Sequence, residues 1–128
     1  MKKIVHTLAC IAALFMTQLS IADPYYNWTK QLGDAGVNSD VGKAIYSDQN
    51  GNVYLTGYFK GAVDFDPGTG VSMLNAGGTA ENIFFAKYTS NGKLSWAKQI
   101  GDANKSVGLA IQTDDTGNVY LLSNFELS

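Results

Sequence analysis

Asp48-Gln49-Asn50-Gly51-Asn52-Val53-Tyr54-Leu55 recurs 66 residues later as Asp114-Asp115-Thr116-Gly117-Asn118-Val119-Tyr120-Leu121. With the flanks included, 10 of 15 positions are identical between 41–55 and 107–121. Upstream, Trp28-Thr29-Lys30-Gln31-Leu32-Gly33-Asp34-Ala35 matches Trp96-Ala97-Lys98-Gln99-Ile100-Gly101-Asp102-Ala103 at 6 of 8 positions, with an offset of 68. The two-residue difference falls around 37–40, in a loop, where length changes are tolerated. A chain that repeats itself at such an interval is built from stacked supersecondary units.

Within one unit the residues read as strands. Residues 42–48 form a short apolar segment, and Asn50-Gly51 is a two-residue hairpin signal. Residues 52–59 come next, rich in β-branched and aromatic side chains. Residues 82–90 carry Ile83, Phe84, Phe85 and Tyr88, and Asn91-Gly92 marks a second hairpin. Residues 93–100 close the unit, with Leu94, Trp96 and Ile100 expected on one face by period two. Between the second and third strands lies a Gly-rich excursion, 60–81, with a small extra hairpin expected from 62–65 and 71–74. Four antiparallel strands joined by tight turns make one blade of a β-propeller. A helical solenoid would show a 3.6-residue period and few glycines, whereas this chain has 14.

These segments resemble the seven-bladed beta-propeller repeat (SBBP) family. The resemblance rests on 48–59, on Val63-Asp64-Phe65-Asp66-Pro67-Gly68, and on Ile83-Phe84-Phe85-Ala86-Lys87-Tyr88 running into Asn91-Gly92-Lys93-Leu94-Ser95-Trp96-Ala97-Lys98. It covers nearly all of 24–125. It implies a secreted or surface-exposed bacterial propeller and brings no catalytic residue set. The second copy departs from the pattern where Thr56-Gly57-Tyr58 becomes Leu122-Ser123-Asn124.

The fold class expected is all-β, a partial β-propeller of about one and a half four-stranded antiparallel blades. A closing strand falls at about 24–33, a full blade at about 41–101 and the start of the next at about 107–125. Propellers take about 4–8 blades. The expectation is therefore an N-terminal fragment of a longer chain, whose remaining blades are its first partners. Other copies of the same chain are the alternative partner, because open strand edges are ready interfaces.

Lys2 and Lys3 precede nine apolar residues at 8–16, and Ser20-Ile21-Ala22 supplies small residues at a cleavage site. This reads as a signal peptide over 1–22, with export to the periplasm, the cell surface or the medium. The apolar run is too short for a transmembrane segment, which needs about 20 residues. A lipoprotein leader ending at Cys10 fits poorly, since Thr7 stands where an aliphatic residue belongs.

Cleavage after Ala22 leaves 106 residues and removes the only His and the only Cys, and the chain has no Arg anywhere. A Ser-His-Asp triad, a cysteine nucleophile, a Cys/His zinc site, a disulfide and bidentate arginine recognition of phosphate are thereby closed. The mature part keeps 7 Lys against 11 carboxylates, a net charge of −4, which argues against nucleic acid. Carboxylate, lysine and hydroxyl chemistry and hard-metal binding by oxygen survive.

Asp34, Asn38 and Asp40 have the alternate spacing of a calcium loop, but the rest of the ligand pattern is missing. Asp64 and Asp66 flank Phe65 before Pro67-Gly68. On a strand they share a face, where two carboxylates hold a metal or a proton; as a strand end they are turn formers. Calcium is thus the one cofactor suggested, and the turn-forming reading is preferred for both groups. Asp48 with Asn52, and Asp114 with Asn118, recur at the same turn and read as structural. Trp28 and Trp96 read as packing residues between blades. The function expected is a non-enzymatic exported scaffold for a protein or glycan ligand. The alternative is the N-terminal part of a secreted hydrolase or lyase with its catalytic residues in other blades.

Overall fold

The computed structural model describes residues 27–33, 39–101 and 104–126. Among them there is no helix. Eight strands run β1 (Val41–Ser47), β2 (Val53–Phe59), β3 (Ala62–Asp64), β4 (Met73–Asn75), β5 (Asn82–Tyr88), β6 (Leu94–Ile100), β7 (Ser106–Thr113) and β8 (Val119–Phe125). β1, β2, β5 and β6 form one antiparallel sheet in that order, the four-stranded unit expected. β7 and β8 pair as a two-stranded sheet and repeat β1 and β2. β8 runs unbroken through Leu122-Ser123-Asn124. This is an all-β partial propeller.

All three long hairpins turn in the same way. Gly51 N–H donates to Asp48 O, and Asp48 N–H donates to Asn52 O. The loop is therefore the three residues 49–51, not the two expected from Asn50-Gly51. A type I turn ends on a left-handed glycine, Gly51 at φ 75°, which a side chain would strain. Residues 89–93 and 114–118 repeat this pattern of bonds.

A second expectation is corrected at β6. Its register against β5 shifts by one residue near Ser95, pairing Leu94 with Tyr88 but Trp96 with Lys87. An extra residue in one strand turns the side chains beyond it to the other face. Leu94 packs with Ala97 on the core cluster, while Trp96 meets Tyr54 and Phe85 edge-on from the opposite side. Leu94 and Trp96 thus do not share a face.

Each face of the four-stranded sheet needs its own cover. The first carries Phe59, Phe84, Ala86 and Tyr88, all buried. The excursion folds back as the β3–β4 hairpin and lays Val63 and Phe65 over them. Tyr88 donates its hydroxyl to Phe65 O at 2.8 Å, tying the hairpin down. Residues 27–33, expected within a closing strand, are irregular. Such a strand pairs with the third strand of another blade, and none among the described residues is there to receive it. Trp28 instead donates its indole N–H to Ser90 O at 3.0 Å and lies against Gly92.

The opposite face carries Tyr54, Thr56 and Ile83, and β7 covers it. Ser106 N–H donates to Glu81 O at 2.8 Å at the entry to β7. Glu81 also binds Lys60 at 3.1 Å and lies 3.9 Å from Lys105, linking the two sheets. The approach is closest at Gly108. A Cβ there would stand 2.1 Å from Thr56 Oγ1 and 3.0 Å from Ile83 Cγ2. Thr56 is held rigidly, donating its hydroxyl to Phe84 O at 2.8 Å. The equivalent glycine of the first unit, Gly42, has no neighbour within 4 Å of such a Cβ.

The two glycines make a matched test. Gly108→Ala should cost about 1–3 kcal/mol by overpacking the joint. Gly42→Ala should stay within about 0.5 kcal/mol. Urea denaturation of the two variants measures both, and equal effects would contradict the close approach.

Candidate functional site

The repeated turn places two carboxylates at one end of the molecule. Asp48 Oδ1 accepts the backbone N–H groups of Asn50 and Asn52, each at 2.9 Å. Its Oδ2 accepts Asn52 Nδ2 at 2.8 Å and the Tyr54 hydroxyl at 3.2 Å. Asp114 repeats the clasp. Its Oδ1 accepts Thr116 N at 3.0 Å, the Thr116 hydroxyl at 2.7 Å and Asn118 N at 2.9 Å. Its Oδ2 accepts Asn118 Nδ2 at 2.7 Å and the Tyr120 hydroxyl at 3.0 Å.

Hydrogen bonds to the charged form hold both carboxyls below the ordinary value of 3.8, with the Asn52 amide the largest cause at Asp48 and the Asn118 amide at Asp114. The Tyr120 phenol is pushed up, first by its bond to Asp114 and then by that residue's charge. Both carboxylates are ionised at neutral pH, and each of their oxygens already accepts at least two donors. They are poor general acids or bases, and poor metal ligands.

Between the two clasps lies a polar cleft of about 320 Å³. Tyr46, Asn50 and Lys87 line it from the first unit, and Asp115 and Thr116 from the second. The Lys87 ammonium sits 5.2 Å from the centre of the Tyr54 ring. The cleft therefore offers one cation, one exposed carboxylate, amides, hydroxyls and an aromatic face. That set suits a polar ligand or a protein loop.

The sequence candidates disperse. Asp34 and Asn38 lie outside the described residues. Asp40 accepts from Lys60 N–H at 3.3 Å, at the corner between β2 and β3. Asp64 Oδ1 accepts Asp66 N at 2.9 Å and Ser72 N at 2.8 Å, and these bonds hold its carboxyl below the ordinary range. Asp66 Oδ1 accepts Gly68 N at 2.8 Å. Asp64 ends β3 and Asp66 stands in the turn beyond it, so both serve the β3–β4 hairpin. Their charges add to burial in raising the Tyr88 phenol far above its ordinary value. Among the described residues no three His, Cys, Asp or Glu side chains come together to hold a metal ion. No helix among them is long and apolar enough to cross a membrane.

Sequence reasoning found the Asp–Asn pairs but missed the tyrosines that complete each clasp. The signal was present: a Tyr stands six residues after the Asp in both copies. Lys87 carries no such signal, since its place in the cleft depends on the neighbouring unit.

The clasps yield a pH prediction. A carboxylate held below its ordinary value contributes stability that is present above that value and lost as pH falls through the folded one. The melting temperature should be level near neutrality and fall below about pH 4. The double variant Asp48→Asn and Asp114→Asn should melt a few degrees lower at pH 7, and the gap should close in acid. A gap that persists in acid would show that the carboxylate charge is not the cause.

Residues 27–58 match the SBBP family, described as a beta-propeller repeat. An uncharacterized WD repeat-containing protein of Acanthamoeba polyphaga mimivirus is 31% identical over 84 residues. The match covers 64% of this chain and 6% of the viral protein, so the chain spans a small part of the length of that relative. No solved structure matches the chain significantly. The match at residues 27–58, the four-stranded unit and its recurrence in β7 and β8 agree, and they give the chain a beta-propeller repeat of the SBBP type.

Proposed function

We propose that this chain is an exported β-propeller repeat module that serves as a binding and structural scaffold and performs no catalysis of its own. One observation carries the reading. The carboxylates Asp48 and Asp114, with both oxygens engaged, and Asp64 and Asp66 in the β3–β4 hairpin, accept turn hydrogen bonds. The carboxylates fix the loops, and the loops shape the polar cleft between the two units. Such a surface binds a protein segment or a glycan by shape and hydrogen bonding. The family match and the viral WD-repeat relative support a repeat module of this kind. The leader at 1–22 supports export.

The test takes the chain from the cell that makes it. Mass spectrometry of the exported fraction should show a chain beginning at Asp23. Full-length chain retained in the cytoplasm would remove the export half of the reading. Glycoside, peptide and ester substrates should show no turnover; turnover abolished by Asp64→Asn would overturn the scaffold half. Millimolar calcium should leave the melting temperature unchanged. A rise of several degrees would identify a calcium site, since a ligand at 100 times its Kd adds about 2.7 kcal/mol.

A further inference from the structure

In the polar cleft between the two turns, the backbone is already engaged. The N–H groups of Asn50 and Asn52 donate to the Asp48 carboxylate and that of Gly51 to the Asp48 carbonyl. Thr116, Asn118 and Gly117 do the same around Asp114. No run of open N–H groups is left in these turns for the main chain of an extended peptide. Recognition falls to the side chains. Tyr46, Tyr54 and Lys87 are paired directly across β1, β2 and β5 and face the second unit. Tyr54 is buried, so the accessible floor is the half-buried Tyr46 and the Lys87 ammonium. The facing turn carries Asp115, which is exposed. Among the described residues neither Lys87 nor Asp115 has an ion-pair partner, and the side-chain amides of Gln49 and Asn50 make no hydrogen bond.

We propose that this cleft binds a neutral oligosaccharide, taking one or two sugar rings between the turns. Vicinal hydroxyls present two O–H groups side by side, and a carboxylate or a carboxamide meets them with its two polar atoms. Asp115, Asn50 and Gln49 supply three such planar forks, and Lys87 supplies three N–H donors for hydroxyl or ring oxygens. Size agrees. The volume of about 320 Å³ stands at the small end of the range of about 300–1,000 Å³ for small-molecule sites. Charge then selects among ligands. Asp48, Asp114 and Asp115 outnumber the one ammonium, so an acidic sugar is repelled. A basic side chain entering the cleft meets Lys87 on its floor. A neutral polyol meets neither obstacle and uses both unpaired charges as hydrogen-bonding groups.

The clasps hold both turns in place before a ligand arrives, which lowers the cost of ordering them on binding. This inference rests on the scaffold reading and names the ligand of its cleft.

Saturation-transfer NMR and calorimetry of the purified full chain test it, with neutral disaccharides of glucose, galactose, mannose and N-acetylglucosamine as probes. At least one should bind with a Kd of about 1 mM or tighter, and digalacturonate should bind at least about tenfold more weakly. Lys87→Met keeps the apolar stem beside Tyr54, and Asp115→Ala removes an exposed side chain, so both should keep their β circular dichroism. Each should weaken the sugar at least about tenfold. Binding of no neutral disaccharide overturns the proposal, as does binding that neither substitution weakens or a preference for digalacturonate. Selection of a peptide from a displayed library, lost in Lys87→Met and with no sugar bound, overturns it in favour of a protein ligand. The same spectra separate the two readings. Release of monosaccharide would overturn the scaffold reading itself, whereas absence of both binding and release overturns only the ligand assigned here.

Discussion

Gly108 comes closer to the first sheet than any side chain could, and the rest of the structure depends on that approach. A four-stranded sheet of seven-residue strands has two apolar faces and cannot cover either alone. The Thr56 and Ile83 side chains form the floor, and Gly108, having no side chain, lets the β7 backbone settle onto them. Ile111 is then drawn under cover, and the Ser106 N–H reaches the Glu81 carbonyl. The other face is covered by the chain's own excursion, whose Val63 and Phe65 close over Phe59 and Phe84.

The carboxylate clasps act at a different level. They do little to join the units and much to fix the shape of each turn. An aspartate that accepts two backbone N–H groups and two side-chain donors leaves its loop few alternative conformations. The same bonds lower its proton affinity and use up its lone pairs. Rigidity of the loop and chemical reactivity of the carboxylate are therefore opposed in this turn. That opposition is why a cleft lined by several acidic residues reads as a recognition surface.

The strands, their order in the sheet and the repeat were legible because alternation and turn glycines act locally. The Asp48 and Asp114 turns were legible because they occur twice. Three things were hidden. The loop length at Asn50-Gly51 depends on where the Asp48 carboxylate ends the ladder, which dipeptide chemistry does not reveal. The face on which Leu94 lies depends on one extra residue at Ser95, and a bulge breaks no hydrophobic pattern strongly enough to be seen. The cleft itself is a property of two units side by side. Lys87 and Thr116 stand far apart in sequence, and nothing in either segment points to the other.

Tyr54 and Tyr120 show how one motif acquires two characters. Each donates its hydroxyl to the Asp of its own turn, and each comes directly after the same Gly-Asn-Val. Tyr54 is buried because a second unit lies on it, while Tyr120 faces solvent with nothing on it among the described residues. The local bond is set by the sequence of the repeat, and the burial is set by position in the array.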